Sequence, residues 1–171
     1  MIFGYILVVL LVLIDQISKI IVENNMVLYE QIIFIEPILN FRFTYNTGAA
    51  WSIFSDHRWL LALISIVASA GLLYLLKDFN LKKHKIYSFA LVLVSSGAIG
   101  NLIDRVFRKE GVVDFLEFGF MEFPIFNVAD SFLTVGVVML AVHILFFSKD
   151  GSLPFMEKKE KNENTEVVEE E

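Results

Sequence analysis

The chain has 171 residues, 56% of them hydrophobic and only 20% charged, with a mean hydropathy of +0.64. A soluble domain holds about 45–50% apolar and about 25% charged residues, so the composition argues against a soluble globular enzyme and for a chain immersed in lipid. The formal net charge is −6, of which residues 149–171 carry −4; no basic excess is left to neutralise phosphates, which argues against a nucleic-acid partner, and the absence of cysteine removes disulfides, thiolate metal sites and a cysteine nucleophile.

Four stretches, at about 3–23, 59–77, 86–107 and 127–147, have the roughly 20 apolar residues that a helix needs to cross a hydrocarbon core. The first lacks an initial Lys or Arg and a small-residue cleavage site, and it continues past Asp15 into Ile17, Ile20 and Val22, so it reads as a retained helix. The link between spans two and three holds Lys77, Lys82, Lys83 and Lys85, and the tail adds Lys149, Lys158, Lys159 and Lys161. Segments 24–58 and 108–126 are poor in Lys and Arg. The positive-inside rule then predicts a membrane all-α fold, a four-transmembrane-helix bundle with both termini cytoplasmic. Residues 1–148 form one membrane domain in this reading, and 149–171 an acidic, solvated and disordered cytoplasmic tail.

Segment 28–54 is too long for a bare loop. In Asn40-Phe41-Arg42-Phe43-Thr44-Tyr45-Asn46 aromatic and polar residues alternate with period two, which predicts a strand, and Asn46-Thr47-Gly48-Ala49-Ala50 follows with turn residues. A small extracytoplasmic β element is expected here, with Trp51, Phe54 and Trp59 suited to the outer interface.

Ionisable groups inside spans are expensive and mark function by default. Asp15 and Lys19 share one face of span one. Gly97, Gly100, Asn101 and Asp104 recur at helical spacing near the outer end of span three, with Arg105 next, and Asn127, Asp130, Ser131 and Thr134 form a polar stripe on the outer half of span four. Three helices thus carry carboxylates and amides at one depth. Asp114, in Gly111-Val112-Val113-Asp114-Phe115-Leu116, sits in a short apolar stretch leading back to the membrane, and Asp130 sits in the first turn of span four, so an interfacial position opposite each other is open to both. Each residue also has a plainer reading: Asn127 as helix cap with Asp130 at N3, Arg105 as a snorkelling anchor, Asp15 and Lys19 as a neutralised pair. His57, His84 and His143 lack metal-ligand spacing, so no metal or other cofactor is expected.

Two carboxyl groups held within a few ångströms cannot both ionise easily; one keeps its proton near neutral pH while the other is charged. Such a pair activates water against a carbonyl, the carboxylate taking the water proton and the acid protonating the oxygen. Asn46, Asn101, Asn127 and Arg105 are candidate donors for the oxyanion or the substrate backbone, and the pattern leaves the choice among them open.

Asp15-Gln16-Ile17-Ser18-Lys19, Asn46-Thr47-Gly48-Ala49-Ala50-Trp51, Gly97-Ala98-Ile99-Gly100-Asn101-Leu102-Ile103-Asp104-Arg105, Val112-Val113-Asp114-Phe115 and Phe126-Asn127-Val128-Ala129-Asp130-Ser131 stand in that order. Together they resemble the motif set of bacterial lipoprotein signal peptidase (signal peptidase II), over about residues 10–145. The resemblance implies four transmembrane helices with an extracytoplasmic β-cradle and a short surface helix. It implies an aspartic endopeptidase of the bacterial cytoplasmic membrane, with its site at the extracytoplasmic face. Its substrate would be a prolipoprotein cut immediately before a diacylglyceryl cysteine. The implied catalytic dyad falls on Asp114 and Asp130, with Asp15, Lys19, Asn46, Asn101, Asp104, Arg105 and Asn127 around the site. Membrane lipid is the other expected partner, and a monomer is the default.

Two other readings remain. A transporter or proton-relay subunit needs polar residues through the full depth, whereas Leu72–Leu76, Ser88–Val94 and Val137–Leu145 are largely apolar. A noncatalytic scaffold using the polar stripes as helix glue would tolerate Asp130→Asn; a peptidase would not.

Overall fold

The computed structural model describes residues 2–48, 58–148 and 153–154. Four helices alternate with three strands: α1 (Ile2–Asn25), β1 (Gln31–Ile35), β2 (Leu39–Asn46), α2 (Arg58–Leu75, prolonged by a 3-10 turn Leu76–Asp78), α3 (Lys85–Phe107), β3 (Val112–Phe118) and α4 (Val128–Phe146). All four helices are long and apolar enough to cross a membrane. They lie within two residues of the expected spans, except that the second passes into its 3-10 turn after Leu75.

α3 is the central helix. Its most apolar window is 61% buried, against 28% for α1 and 17% for α2 and α4, and the other three helices pack around it. The outer faces stay apolar because lipid receives them: Leu10, Ile14, Ile17 and Ile21 of α1 and Val67 of α2 are about half exposed or more. Small residues permit close packing at α3. A Cβ on Gly97 would lie 2.3 Å from the Ala129 carbonyl oxygen, and one on Gly100 would lie 2.6 Å from Asp15 Oδ2, so α4 and α1 approach α3 where it has no side chain.

The strands form one antiparallel sheet in the order β1-β2-β3. Sequence reasoning placed the β element at about 28–54 and anticipated β2; β3 is an addition, because Val112–Phe118 is too apolar to show the period-two alternation of a half-buried strand. Phe43, Val113 and Phe115 bury against Val22 of α1 and fasten the sheet to one end of the bundle. A second cluster, Val8, Leu76, Phe79, Tyr87, Leu91 and Val92, closes the other end. Phe115 and Leu116 both donate backbone N–H to the Phe126 carbonyl, and Phe126 N–H returns to Leu116, so the chain entering α4 is strapped to β3. That strap brings the start of α4 beside Asp114.

Ala49, Ala50, Trp51 and Phe54 lie outside the described residues, as does the tail except for Leu153 and Pro154. Leu153 packs on the inner cluster and Pro154 is buried. Apart from the 3-10 turn, the described residues contain no short surface helix.

Candidate active site

Asp114 and Asp130 come from different elements and meet through two asparagines. Asp114 sits on β3 beside an irregularity in the β2–β3 ladder between Phe41 and Thr44, where an extra residue re-aims the strand. Its Oδ2 accepts Asn46 Nδ2 at 3.0 Å and its Oδ1 accepts Asn127 Nδ2 at 2.7 Å. Asp130 lies in the first turn of α4, where Asn127 and Asp130 form a capping box: Asn127 Oδ1 accepts Asp130 N–H at 2.9 Å, and Asp130 Oδ2 accepts Asn127 N–H at 3.2 Å. The other carboxyl oxygen, Asp130 Oδ1, accepts Asn101 Nδ2 at 2.7 Å. Asn127 Nδ2 also donates to Asn101 Oδ1 at 3.0 Å, closing a ring of amides between the carboxyls.

The plainer reading of Asn127 as a cap is therefore correct, and it does not compete with a role at the site. One side chain does both: its oxygen ends the helix and its nitrogen reaches the strand.

Behind this ring lies a buried charge cluster. Lys19 Nζ is 2.9 Å from Asp15 Oδ2 and 2.8 Å from Asp104 Oδ2, all three side chains fully buried, and it donates to Asn101 Oδ1 at 3.1 Å. Asp15 is more than a partner for Lys19, because its Oδ1 accepts the backbone N–H of Ala129 at 2.9 Å and joins α1 to the first turn of α4. Asp104 accepts Val113 N–H at 3.3 Å, one residue before Asp114, and thereby positions β3 from α3.

Three contributors were not legible as site residues. Gln16 Nε2 lies 3.1 Å from Asp15 Oδ2, Asp104 Oδ1 and the Gly100 carbonyl, linking α1 to α3. Arg108 Nε is 3.1 Å from Asp104 Oδ1, and Arg108 also pairs with Glu23, which accepts the Tyr45 hydroxyl at 3.1 Å. Their only sequence signals were the four-residue spacings Asp104 to Arg108 and Lys19 to Glu23.

Burial pushes the Asp114 carboxyl up to about 7, and the neighbouring Asp130 charge adds to the rise; the amide hydrogen bonds of Asn46 and Asn127, and Lys19, oppose it. Asp114 therefore keeps its proton about half the time at neutral pH, where an ordinary carboxyl is ionised.

Both carboxyls, with Asn46, Asn101 and Arg105, line a cavity of about 640 Å³ whose remaining wall is largely apolar, from Ile64 and Ala68 of α2 to Leu133 and Val135 of α4. Every site residue expected from the sequence is thus placed: Asp114, Asp130, Asn46, Asn101 and Arg105 face the cavity, Asn127 bridges the carboxyls, and Asp15, Lys19 and Asp104 support from behind. No group of three or more His, Asp or Glu residues suited to a metal ion occurs among the described residues.

The model of the family described as signal peptidase (SPase) II matches residues 7–146. The chain belongs to the signal peptidase II family. It is 40% identical over 149 residues to the lipoprotein signal peptidase of Bacillus pumilus, covering 86% of this chain and 95% of that protein. The lipoprotein signal peptidase of Pseudomonas syringae pv. tomato is 44% identical over 152 residues, covering 85% and 87%. A solved structure described as a bacterial membrane enzyme at 2.3 Å superposes with a TM-score of 0.74 at 32% identity, covering 88% of this chain and 93% of that one. This signal peptidase II family member is a multi-pass membrane peptidase, and its four helices and three-stranded sheet are those of the family fold.

Proposed function

We propose that Asp114 and Asp130 are the catalytic dyad of an endopeptidase that removes the signal peptide from diacylglyceryl-modified prolipoproteins, cutting immediately before the lipidated cysteine. The observation that carries this reading is the pair of carboxyls lining one cavity, bridged by Asn127 and Asn101. The names of the relatives supply the substrate class.

In this mechanism Asp130, as the carboxylate, takes a proton from water while the water oxygen attacks the scissile carbonyl carbon. Asp114, protonated, gives its proton to the carbonyl oxygen. The resulting diol collapses as Asp114 takes back a hydroxyl proton, Asp130 passes its proton to the departing nitrogen and the C–N bond breaks. The products are the signal peptide carboxyl group and the free amine of the cysteine. Arg105 at the cavity wall, held among the charges of Asp130, Asp114 and Asp104, supplies a cation to orient the substrate carbonyl.

The site lies at the end of α3 opposite the lysine-rich α2–α3 link, so the positive-inside rule supports an extracytoplasmic site with both termini in the cytoplasm, in the bacterial cytoplasmic membrane. A monomer is the proposed active unit.

The test is cleavage of a diacylglyceryl prolipoprotein by purified wild type, Asp114→Asn and Asp130→Asn in detergent, with thermal melting as the folding control. Loss of cleavage in both folded variants is expected. Cleavage retained by either variant removes that residue from the dyad, and retention by both favours the scaffold reading.

A further inference from the structure

A second depression adjoins the site cavity. It is an open groove of about 980 Å³, and Phe118, Phe123 and Pro124 stand between the two as a shared wall. Its other lining residues include Gln31, Asn40, Glu117 and Glu122. The two spaces differ in character: the site cavity is walled largely by apolar residues of α2 and α4, whereas the groove lies on the sheet and has polar side chains along it.

We propose that this groove binds the polypeptide on the far side of the scissile bond, the water-soluble segment that follows the lipidated cysteine, and that it favours basic over acidic residues there. The proposal rests on the peptidase reading above. A substrate cut at a membrane surface has two unlike halves, an apolar signal peptide and a soluble chain, and the two adjoining spaces match them in polarity.

The β2–β3 ribbon supplies the path. Asn46 and Asp114 lie at its site end, and Asn40 pairs with Glu117 farther along it. Asp114 and Phe118 lie four strand residues apart on one face of β3, a reach of about 13 Å, and Phe118 lines both spaces, so an extended peptide leaving the dyad along the ribbon brings about its third to fifth residue over the groove. Charge sets the preference. Glu117 is already matched by Arg42 at 3.0 Å and by Gln31 at 2.7 Å, whereas Glu122 is exposed and forms no ion pair among the described residues. The groove therefore presents a negative charge to whatever lies in it.

The experiment compares kcat/KM for diacylglyceryl prolipoproteins with Lys or with Asp at the third to fifth positions after the cysteine, in wild type and Glu122→Lys. Wild type is expected to favour the lysine substrate by about twofold to fivefold, the range of an exposed ion pair, and the variant to invert that order. A second series shortens the soluble segment: KM is expected to rise about fivefold with little change in kcat once the peptide no longer reaches the groove, and it tests the proposal even if Glu122→Lys does not fold. Equal substrate ratios in both enzymes, or a KM indifferent to length, overturn the groove assignment. Failure of folded wild type to cut any substrate overturns instead the function on which it rests.

Discussion

Asn127 Nδ2 donates to Asp114 Oδ1 at 2.7 Å while the opposite face of the same amide caps α4, so the helix cannot lose its cap without the strand carboxyl losing a partner. Asn127→Ala is expected to cost about 1 kcal/mol as a lost cap. Because that hydrogen bond holds the Asp114 carboxyl down, its loss is also expected to move the alkaline limb of the pH–rate profile to higher pH. Thermal melting and kcat/KM against pH read the two effects separately.

The Asp114 carboxyl at about 7 also gives wild type a pH signature. If protonated Asp114 is the acid, kcat/KM falls above about pH 7, approaching tenfold per pH unit as the proton is lost. A flat profile up to about pH 9 would sink that assignment.

Stability carries the same titration with a defined sign. A carboxyl whose folded value lies above its unfolded 3.8 binds more protons when folded, so stability falls as pH rises from about 3.8 to about 7. Asp114→Asn has no proton to lose. Its melting stability relative to wild type is expected to increase between about pH 5 and about pH 8, by at most about 3 kcal/mol. A constant difference over that range would contradict the raised carboxyl.

Lys19 pairs with Asp15 at 2.9 Å, and it shares Asp104 with Arg108. Lys19→Met leaves the buried Asp15 and Asp104 side chains short of a partner and is expected to destabilise by about 3–5 kcal/mol. The loss of melting temperature should be smaller in a double variant that also removes Asp15.

Gly97→Ala puts a methyl group 2.3 Å from the Ala129 carbonyl oxygen, a backbone atom that can yield only if α4 moves. Since Asn101 on α3 holds Asp130 on α4, activity is expected to drop more than stability. Thermal melting beside kcat/KM distinguishes this from simple unfolding.

How far the sequence spoke depended on the length of the pattern. Helices of 18–24 residues announce themselves through length and apolarity, and polar residues inside them are conspicuous against lipid, which is why Asp15, Lys19, Asn101, Asp104, Asn127 and Asp130 were all legible. β2 showed its alternation. β3 did not, because Val112, Val113, Asp114 and Phe115 are all buried, and a run buried on both faces has no period. Gln16, Glu23 and Arg108 look like ordinary interfacial polar residues until the fold brings α1, β2 and the end of α3 together; nothing local tells a solvated arginine from one that braces a carboxylate.

The cavity wall formed by Ile64 and Ala68 on one side and Leu133 and Val135 on the other has a kinetic consequence. A substrate that reached Asp114 and Asp130 past α2 and α4 would arrive sideways from the bilayer, and its collision frequency would be counted per unit area of membrane. At a fixed number of enzyme and substrate molecules, adding inert phospholipid spreads both over more surface and slows turnover, while changing the volume of buffer leaves the rate alone.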